Sequence, residues 1–128
     1  MVPKGVTMEL QKIECVFTIC KIDNVEQVDF TRGFTFLSKT ADEISLVCEA
    51  EKTPSEALEI EPGWRALKIS DVLDFNMIGV IAKLSKILAE AKICIFVVST
   101  YNTDYIFMKV EDYDRGIQAL IHNGYTVF

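Results

Sequence analysis

An amphipathic stretch followed at once by an uninterrupted apolar one sets the tightest limit on how this chain can fold. Val80, Ile81, Leu84, Ile87, Leu88 and Ala91 recur at the spacing of one helix face, while Lys83, Lys86 and Glu90 fall on the other. Directly after them comes Ile93 to Val98, ICIFVV, with no polar position, which predicts a strand covered on both faces. A helix with one apolar face and a strand with two cannot be satisfied alone. They demand helix packed on sheet, with a further layer or a second subunit over the far side.

The remaining stretches supply that sheet. Leu10 to Ile22 reads as one long strand, and Asp23 to Gly33 leaves room for a turn or a short helix. Phe34–Leu37 and Ile44–Cys48 are strand candidates on either side of the polar hairpin Ser38 to Glu43. Thr53-Pro54-Ser55-Glu56 has the form of a capping box and predicts a short helix starting there. Glu61-Pro62-Gly63 is expected to end it as a turn. Trp64 to Leu73 is again strand-like, Asn76 is the expected cap of the helix that follows, and Ser99 to Asp104 is a polar hairpin before the strand Tyr105 to Val110. Asp112 is expected to cap a last helix through Ile121, Asn123-Gly124 to supply a left-handed exit, and Tyr125 to Phe128 to close the sheet. Val2 to Thr7, with Pro3 and Gly5, is expected to be a frayed leader.

The second half thus runs strand, helix, strand, strand, helix, strand, the ferredoxin-like order of an α+β fold. Phe36 to Ile44 aligns, with one gap, to Val97 to Ile106, so the first half repeats part of the second. The expectation is two related units, 8–62 with an abbreviated first helix and 63–128, each near the lower size limit for independent folding.

Charge and inventory narrow the function. A formal net charge of -6 and a pI near 4.8 give no basic patch to attract phosphate backbones or anionic lipid. Tyr105 and Phe107 alternate on one face of a strand, as base-stacking aromatics do, but the acidic balance argues against RNA. No apolar run approaches the roughly 20 residues of a membrane span, and the first residues lack a signal-peptide layout, so a cytoplasmic protein is expected. Cys15, Cys20, Cys48 and Cys94 lie in apolar surroundings with no CxxC pair and are expected to be buried, reduced thiols. His122 is the one histidine and sits where a helix ends; Glu111, Asp112 and Asp114 suit a helix N-terminus better than a cation site. With no GxSxG, Walker-type or GxGxxG motif, neither catalysis, a metal nor a cofactor is expected.

One constellation does converge chemically. The backbone N–H groups of Ile78, Gly79 and Val80 open a helix just after Asn76, where unpaired donors and the helix dipole suit a small carboxylate. Ser99 and Thr100 offer hydroxyls and Asp104 a carboxylate that suits an ammonium or guanidinium. A zwitterionic amino acid fits that pairing. The same Ser, Thr and Asp residues are also ordinary turn formers.

Trp64-Arg65-Ala66-Leu67, Leu73-Asp74-Phe75, Gly79-Val80-Ile81-Ala82, Leu88-Ala89 and above all Ser99-Thr100-Tyr101-Asn102-Thr103-Asp104-Tyr105-Ile106 make the chain resemble the small tandem ACT-domain proteins, relatives of the regulatory module of aspartate kinase and of the CASTOR arginine sensors. The resemblance implies ferredoxin-like (βαββαβ) ACT domains in tandem, antiparallel sheets with helices on one face, amino-acid effectors held where units meet, and pairing into a homodimer. It places the ligand's main-chain groups at Asn76, Ile78, Gly79 and Val80, with Thr100, Tyr101 and Asp104 reading its amine or side chain. Lys92 departs from the family, which has Gly after the helix. The function implied is a non-catalytic amino-acid sensor acting on a protein partner; the alternative is an interaction module of the same fold that dimerises without an effector.

Overall fold

The computed structural model describes residues 8–31, 33–70 and 78–128; the expected leader and Asp71 to Met77, with Asn76 among them, lie outside the described residues. The elements are β1 (Glu9–Ile22), β2 (Thr35–Lys39), β3 (Ile44–Glu49), β4 (Glu59–Ile69), α1 (Val80–Glu90), β5 (Ile95–Ser99), β6 (Asp104–Lys109), α2 (Val110–His122) and β7 (Thr126–Val127). Short 3-10 turns occupy Val25–Gln27 and Ala50–Lys52. This is an α+β fold of antiparallel strands with two helices. β7 pairs in parallel with β1, Glu9 opposite Thr126 and Leu10 opposite Val127.

Two compact units divide the chain, one holding Cys15–Trp64 and the other Arg65–Phe128 with the start of β1 as far as Glu14. In the larger unit the strands run β7, β1, β4, β6, β5, with both β1 and β4 contributing to each unit. Its core draws Leu10, Leu67, Ile69, Ile106 and Met108 from the strands and Leu84, Leu88, Tyr113, Ile117 and Leu120 from the helices. Alternation explains the choice: on β6, Ile106 and Met108 share one face, and Val97 and Ile95 stand opposite them on β5. α2 rides close over β6 at Gly116, where a Cβ would collide with the Met108 sulfur. A larger residue there would require the Met108 side chain to move.

A polar clamp holds α2 to the sheet. The Tyr113 hydroxyl donates to the Ala66 carbonyl of β4 at 2.7 Å. The Arg65 guanidinium lies 4.3 Å from the Tyr113 ring centroid and donates through Nε and Nη2 to the Ile13 carbonyl of β1, at 3.2 and 3.0 Å. Each of these main-chain carbonyls thereby accepts a side-chain hydrogen bond from a residue far along the chain.

In the smaller unit the strands run β2, β3, β1, β4, around a core of Cys20, Ile22, Leu46 and Cys48. Several expectations change here. No helix starts at Thr53; its hydroxyl bonds backward, donating to the Ala50 carbonyl at 2.7 Å and closing the 3-10 turn, so the capping box never forms. Glu61-Pro62-Gly63 is not a turn but part of β4, which accommodates Gly63 at φ 80.

The larger unit brings its own corrections. β5 lies at the edge of the sheet and its apolar residues are half-buried, not enclosed on both faces as ICIFVV suggested. α2 begins at Val110, so Asp112 sits inside its first turn instead of capping it. Cys94, one residue before β5, is exposed and Cys15 on β1 only partly buried; Cys20 and Cys48 are buried as expected, and all four are free thiols.

Both helices end in the same way. Ile93 N–H bonds the Leu88 carbonyl at 3.0 Å and Lys92 N–H the Ala89 carbonyl at 2.9 Å; Tyr125 N–H bonds Leu120 at 3.1 Å and Gly124 N–H bonds Ile121 at 3.0 Å. These are Schellman endings, each with an apolar pair, Ile93 on Leu88 and Tyr125 on Leu120, inside the core. Gly124 takes φ 95 at no steric cost, whereas Lys92 takes φ 61 in the same role. Replacing Lys92 by Gly should therefore raise unfolding stability by up to about 1 kcal/mol, and Gly124→Ala should lower it by about as much. Urea denaturation of the two variants against the parent checks both signs.

Candidate ligand site at the start of α1 and the β5–β6 hairpin

The first helical residue of α1 is Val80, and its N-cap is Gly79 in the left-handed region at φ 80. Among the described residues no side chain caps this end, and none comes within 4 Å of a Cβ built at Gly79. The cap expected from Asn76 falls outside the described residues. Ile78 is 82% exposed, while Val80 packs against the core. The helix therefore presents early N–H donors, with the positive end of its dipole, that no side chain among the described residues caps.

The hairpin is held by its own turn. Ser99 and Asp104 are cross-strand partners, Ser99 exposed and Asp104 half-buried. Thr100 N–H bonds the Thr103 carbonyl at 2.8 Å, and the Thr100 hydroxyl donates to the same carbonyl at 3.0 Å while accepting from Thr103 N–H at 3.4 Å. Much of Thr100's hydrogen bonding is thus used within the turn. Tyr101, at its tip, is 81% exposed. Ser99, Thr100, Tyr101 and Asp104 are gathered on one hairpin; Ile78, Gly79 and Val80 are gathered on one helix start.

Thr103 was quoted in the sequence only as part of the hairpin, yet it is the residue that anchors it. Buried, its hydroxyl donates 2.8 Å to the carbonyl of Ile69, the last residue of β4. The chain leaves β4 there and re-enters the described residues at Ile78, so this bond fixes the hairpin beside the strand that leads toward α1. The sequence gives one weak sign of it, a threonine flanked by polar turn residues just ahead of an apolar strand.

The β2–β3 hairpin repeats this turn in the smaller unit. Lys39 pairs with Ile44 as Ser99 does with Asp104; Thr40 N–H bonds the Glu43 carbonyl at 2.9 Å, and the Thr40 hydroxyl accepts from Glu43 N–H at 3.2 Å. Thr40 thus corresponds to Thr100 with no gap between the hairpins, in place of the gapped alignment of the sequences. In the smaller unit the turn is followed by a three-residue 3-10 turn instead of a helix.

The family model for the ACT domain matches residues 59–122, half of the chain. The chain belongs to the ACT-domain family. Solved structures share the fold: a protein from Agobacterium tumefaciens is 23% identical, covers 97% of this chain with 94% of its own, and superposes with a TM-score of 0.85. A Vibrio cholerae protein is 22% identical over 91% of this chain and 89% of its own, with a TM-score of 0.70. The regulatory subunit of aspartate kinase from Thermus thermophilus, in its ligand-free form, is 10% identical over 95% of this chain and 99% of its own, with a TM-score of 0.66. No curated protein sequence matches the chain.

Titration in this ACT-domain chain follows packing. Burial pushes the Tyr113 hydroxyl up to about 12 and the Cys48 thiol up to about 11, from 10.0 and 9.0, and also raises Cys20, Tyr105 and Tyr125. Asp29 is lowered by hydrogen bonds from Thr31 in an exposed turn. Among the described residues no group of three or more His, Cys, Asp or Glu side chains could hold a metal ion, and no helix is long and apolar enough to cross a membrane.

The raised pKa values give a pH dependence of known sign. Below about pH 8 both groups are protonated in folded and unfolded chains alike. Above it the unfolded chain loses these protons first, so stability falls as pH rises through the window from 9.0 to about 11 for Cys48 and 10.0 to about 12 for Tyr113. Urea midpoints measured across that range should be level up to about pH 8 and then decline. Cys48→Ala should flatten the lower part of the decline and Tyr113→Phe the upper part, the latter also costing about 1 kcal/mol at neutral pH through the lost hydrogen bond to the Ala66 carbonyl.

Proposed function

We propose that this protein is a non-catalytic regulatory protein that binds an amino acid with its carboxylate at the start of α1 and its amine toward Asp104. The observation that carries the reading is the left-handed Gly79 opening an 11-residue helix with no side-chain cap among the described residues, in a chain of the ACT-domain family. A small carboxylate supplies what that helix end lacks, acceptors for early N–H groups and a negative charge at the dipole. Asn76, Ile78, Gly79 and Val80 are the proposed main-chain contacts, and Ser99, Thr100, Tyr101 and Asp104 the proposed side-chain wall. The reading keeps tandem ACT units at 8–62 and 63–128, paired copies, and a regulated protein partner. Ligand occupancy alters regulation only if the ligand favours one packing of the units over another.

A second reading, an interaction module without an effector, is favoured by one specific observation. Thr100 spends its hydroxyl inside the turn, and Thr40 builds a closely similar turn where no helix follows. Turn chemistry alone accounts for those threonines.

Thermal-shift measurements against the common amino acids, on the parent and on Asp104→Ala, separate the two. The sensor reading expects one amino acid, or one narrow class, to raise the melting temperature in proportion to RT ln(1 + [L]/Kd), and the rise to vanish in a normally folded Asp104→Ala. A parent that melts cooperatively but answers none of them at millimolar concentration supports the interaction module.

A further inference from the structure

The core of the smaller unit holds two sulfurs side by side. In the β1–β3 register Cys20 stands opposite Leu46 and Cys48 opposite Thr18, which makes the two cysteines diagonal neighbours on one face of the sheet. Both are buried, in an otherwise apolar cluster with Ile22 and Leu46, and their thiols are close enough to hydrogen-bond to each other. Threonines gather at the same spot. Thr18 on β1 and Thr35 on β2 flank Cys48 in one cross-strand row, and the Thr53 hydroxyl lies within reach of its sulfur from the end of the 3-10 turn that follows β3. The Thr35 hydroxyl is enclosed and has no hydrogen-bond partner among the described residues.

Two adjacent thiols can close a disulfide or share a metal ion, and the register decides between the two. Diagonal neighbours on antiparallel strands stand roughly 7–8 Å apart at Cα, beyond what a disulfide spans without moving the strands. One atom placed between the sulfurs closes that gap. Zinc fits poorly, since it takes four ligands and no group of three or more His, Cys, Asp or Glu side chains is brought together among the described residues. A soft, singly charged d10 cation binds two thiolates in line and needs no further ligand. We propose that Cys20 and Cys48 hold one such ion, of the copper(I) class, between their sulfurs. Two sulfur–metal bonds form, two thiol protons leave to solvent, and the site keeps one net negative charge. A charge buried there needs hydrogen-bond donors or a countercharge nearby. The partnerless Thr35 hydroxyl is such a donor, and Lys52 lies near enough to Cys48 to favour its thiolate. The inference concerns the smaller unit and does not rest on the amino-acid reading of the larger one.

Silver(I), a redox-inert ion of the same class, tests it on the full chain carrying Cys15→Ser and Cys94→Ser, so that only the inner pair of thiols remains. Because that pair is buried, uptake is measured both by direct titration and after refolding with the ion present. The expected result is one ion per chain and two protons released per ion, with a dissociation constant that falls roughly hundredfold for each unit rise in pH below the thiol range. Binding to the native chain alone should also raise the urea midpoint. Adding Cys20→Ser or Cys48→Ser to the same background should weaken uptake roughly tenfold or more, and zinc(II) should bind far more weakly than silver(I). No uptake even after refolding overturns the proposal, as do one proton per ion, a urea midpoint that silver(I) leaves unchanged, uptake that survives either inner substitution, or zinc(II) held as tightly as silver(I). Where an inner variant does not fold, the proton count and the urea midpoint of the Cys15→Ser, Cys94→Ser chain still decide the question.

Discussion

The bond from the Tyr113 hydroxyl to the Ala66 carbonyl, with Arg65 stacked on the same ring, is the contact on which the larger unit turns. It joins a helix to the interior of a strand through polar groups that have no water to fall back on. A hydrogen bond made there adds little by itself, but one left unmade exposes a buried acceptor to the full cost of lost hydration. Orientation follows from that asymmetry. Apolar contacts such as Leu120 and Ile117 hold α2 on the sheet in many rotations, whereas a hydroxyl that must reach one carbonyl admits few. Gly116 over Met108 then sets the depth at which the helix sits.

From α2 the constraint passes along the sheet to the hairpin. β6 carries Ile106 and Met108 into the same core that the clamp positions, and β6 leads back to Thr103, whose hydroxyl is tied to the end of β4. The hairpin is thereby an extension of the packed core, although it is built of turn residues. α1 shares that core through Leu84 and Leu88. Its left-handed start at Gly79 has no side-chain cap among the described residues.

How much of this was legible in the sequence depends on the range of the interaction involved. α1 and the helix endings were readable because their causes are local: an apolar residue every third or fourth position, and Asn123-Gly124 where the backbone turns left-handed. Thr53 failed for a local reason of a different kind, since a threonine hydroxyl can bond backward as easily as forward and Ala50 offered a carbonyl first. Pro62-Gly63 failed because turn-forming residues can also stand inside a strand, as Gly63 does in β4 at φ 80. The edge position of β5 was unreadable in principle, for an apolar run shows that something must cover it and not what does. At the candidate site the residue types were found, but Thr103, whose partner lies 34 residues away, could not be.

Of the four cysteines, the two in the smaller unit's core carry raised pKa values and are shielded from reagent, whereas Cys94 is exposed one residue before β5. Thiol reactivity depends on access and on the thiolate fraction, so the inner pair are poor nucleophiles at neutral pH. Cys94 therefore gives the molecule a natural attachment point for a fluorophore or spin label. It stands just past the Schellman ending at Lys92 and Ile93, beside the outermost strand of the larger unit. A probe there would sense rearrangement at that edge without a single engineered residue.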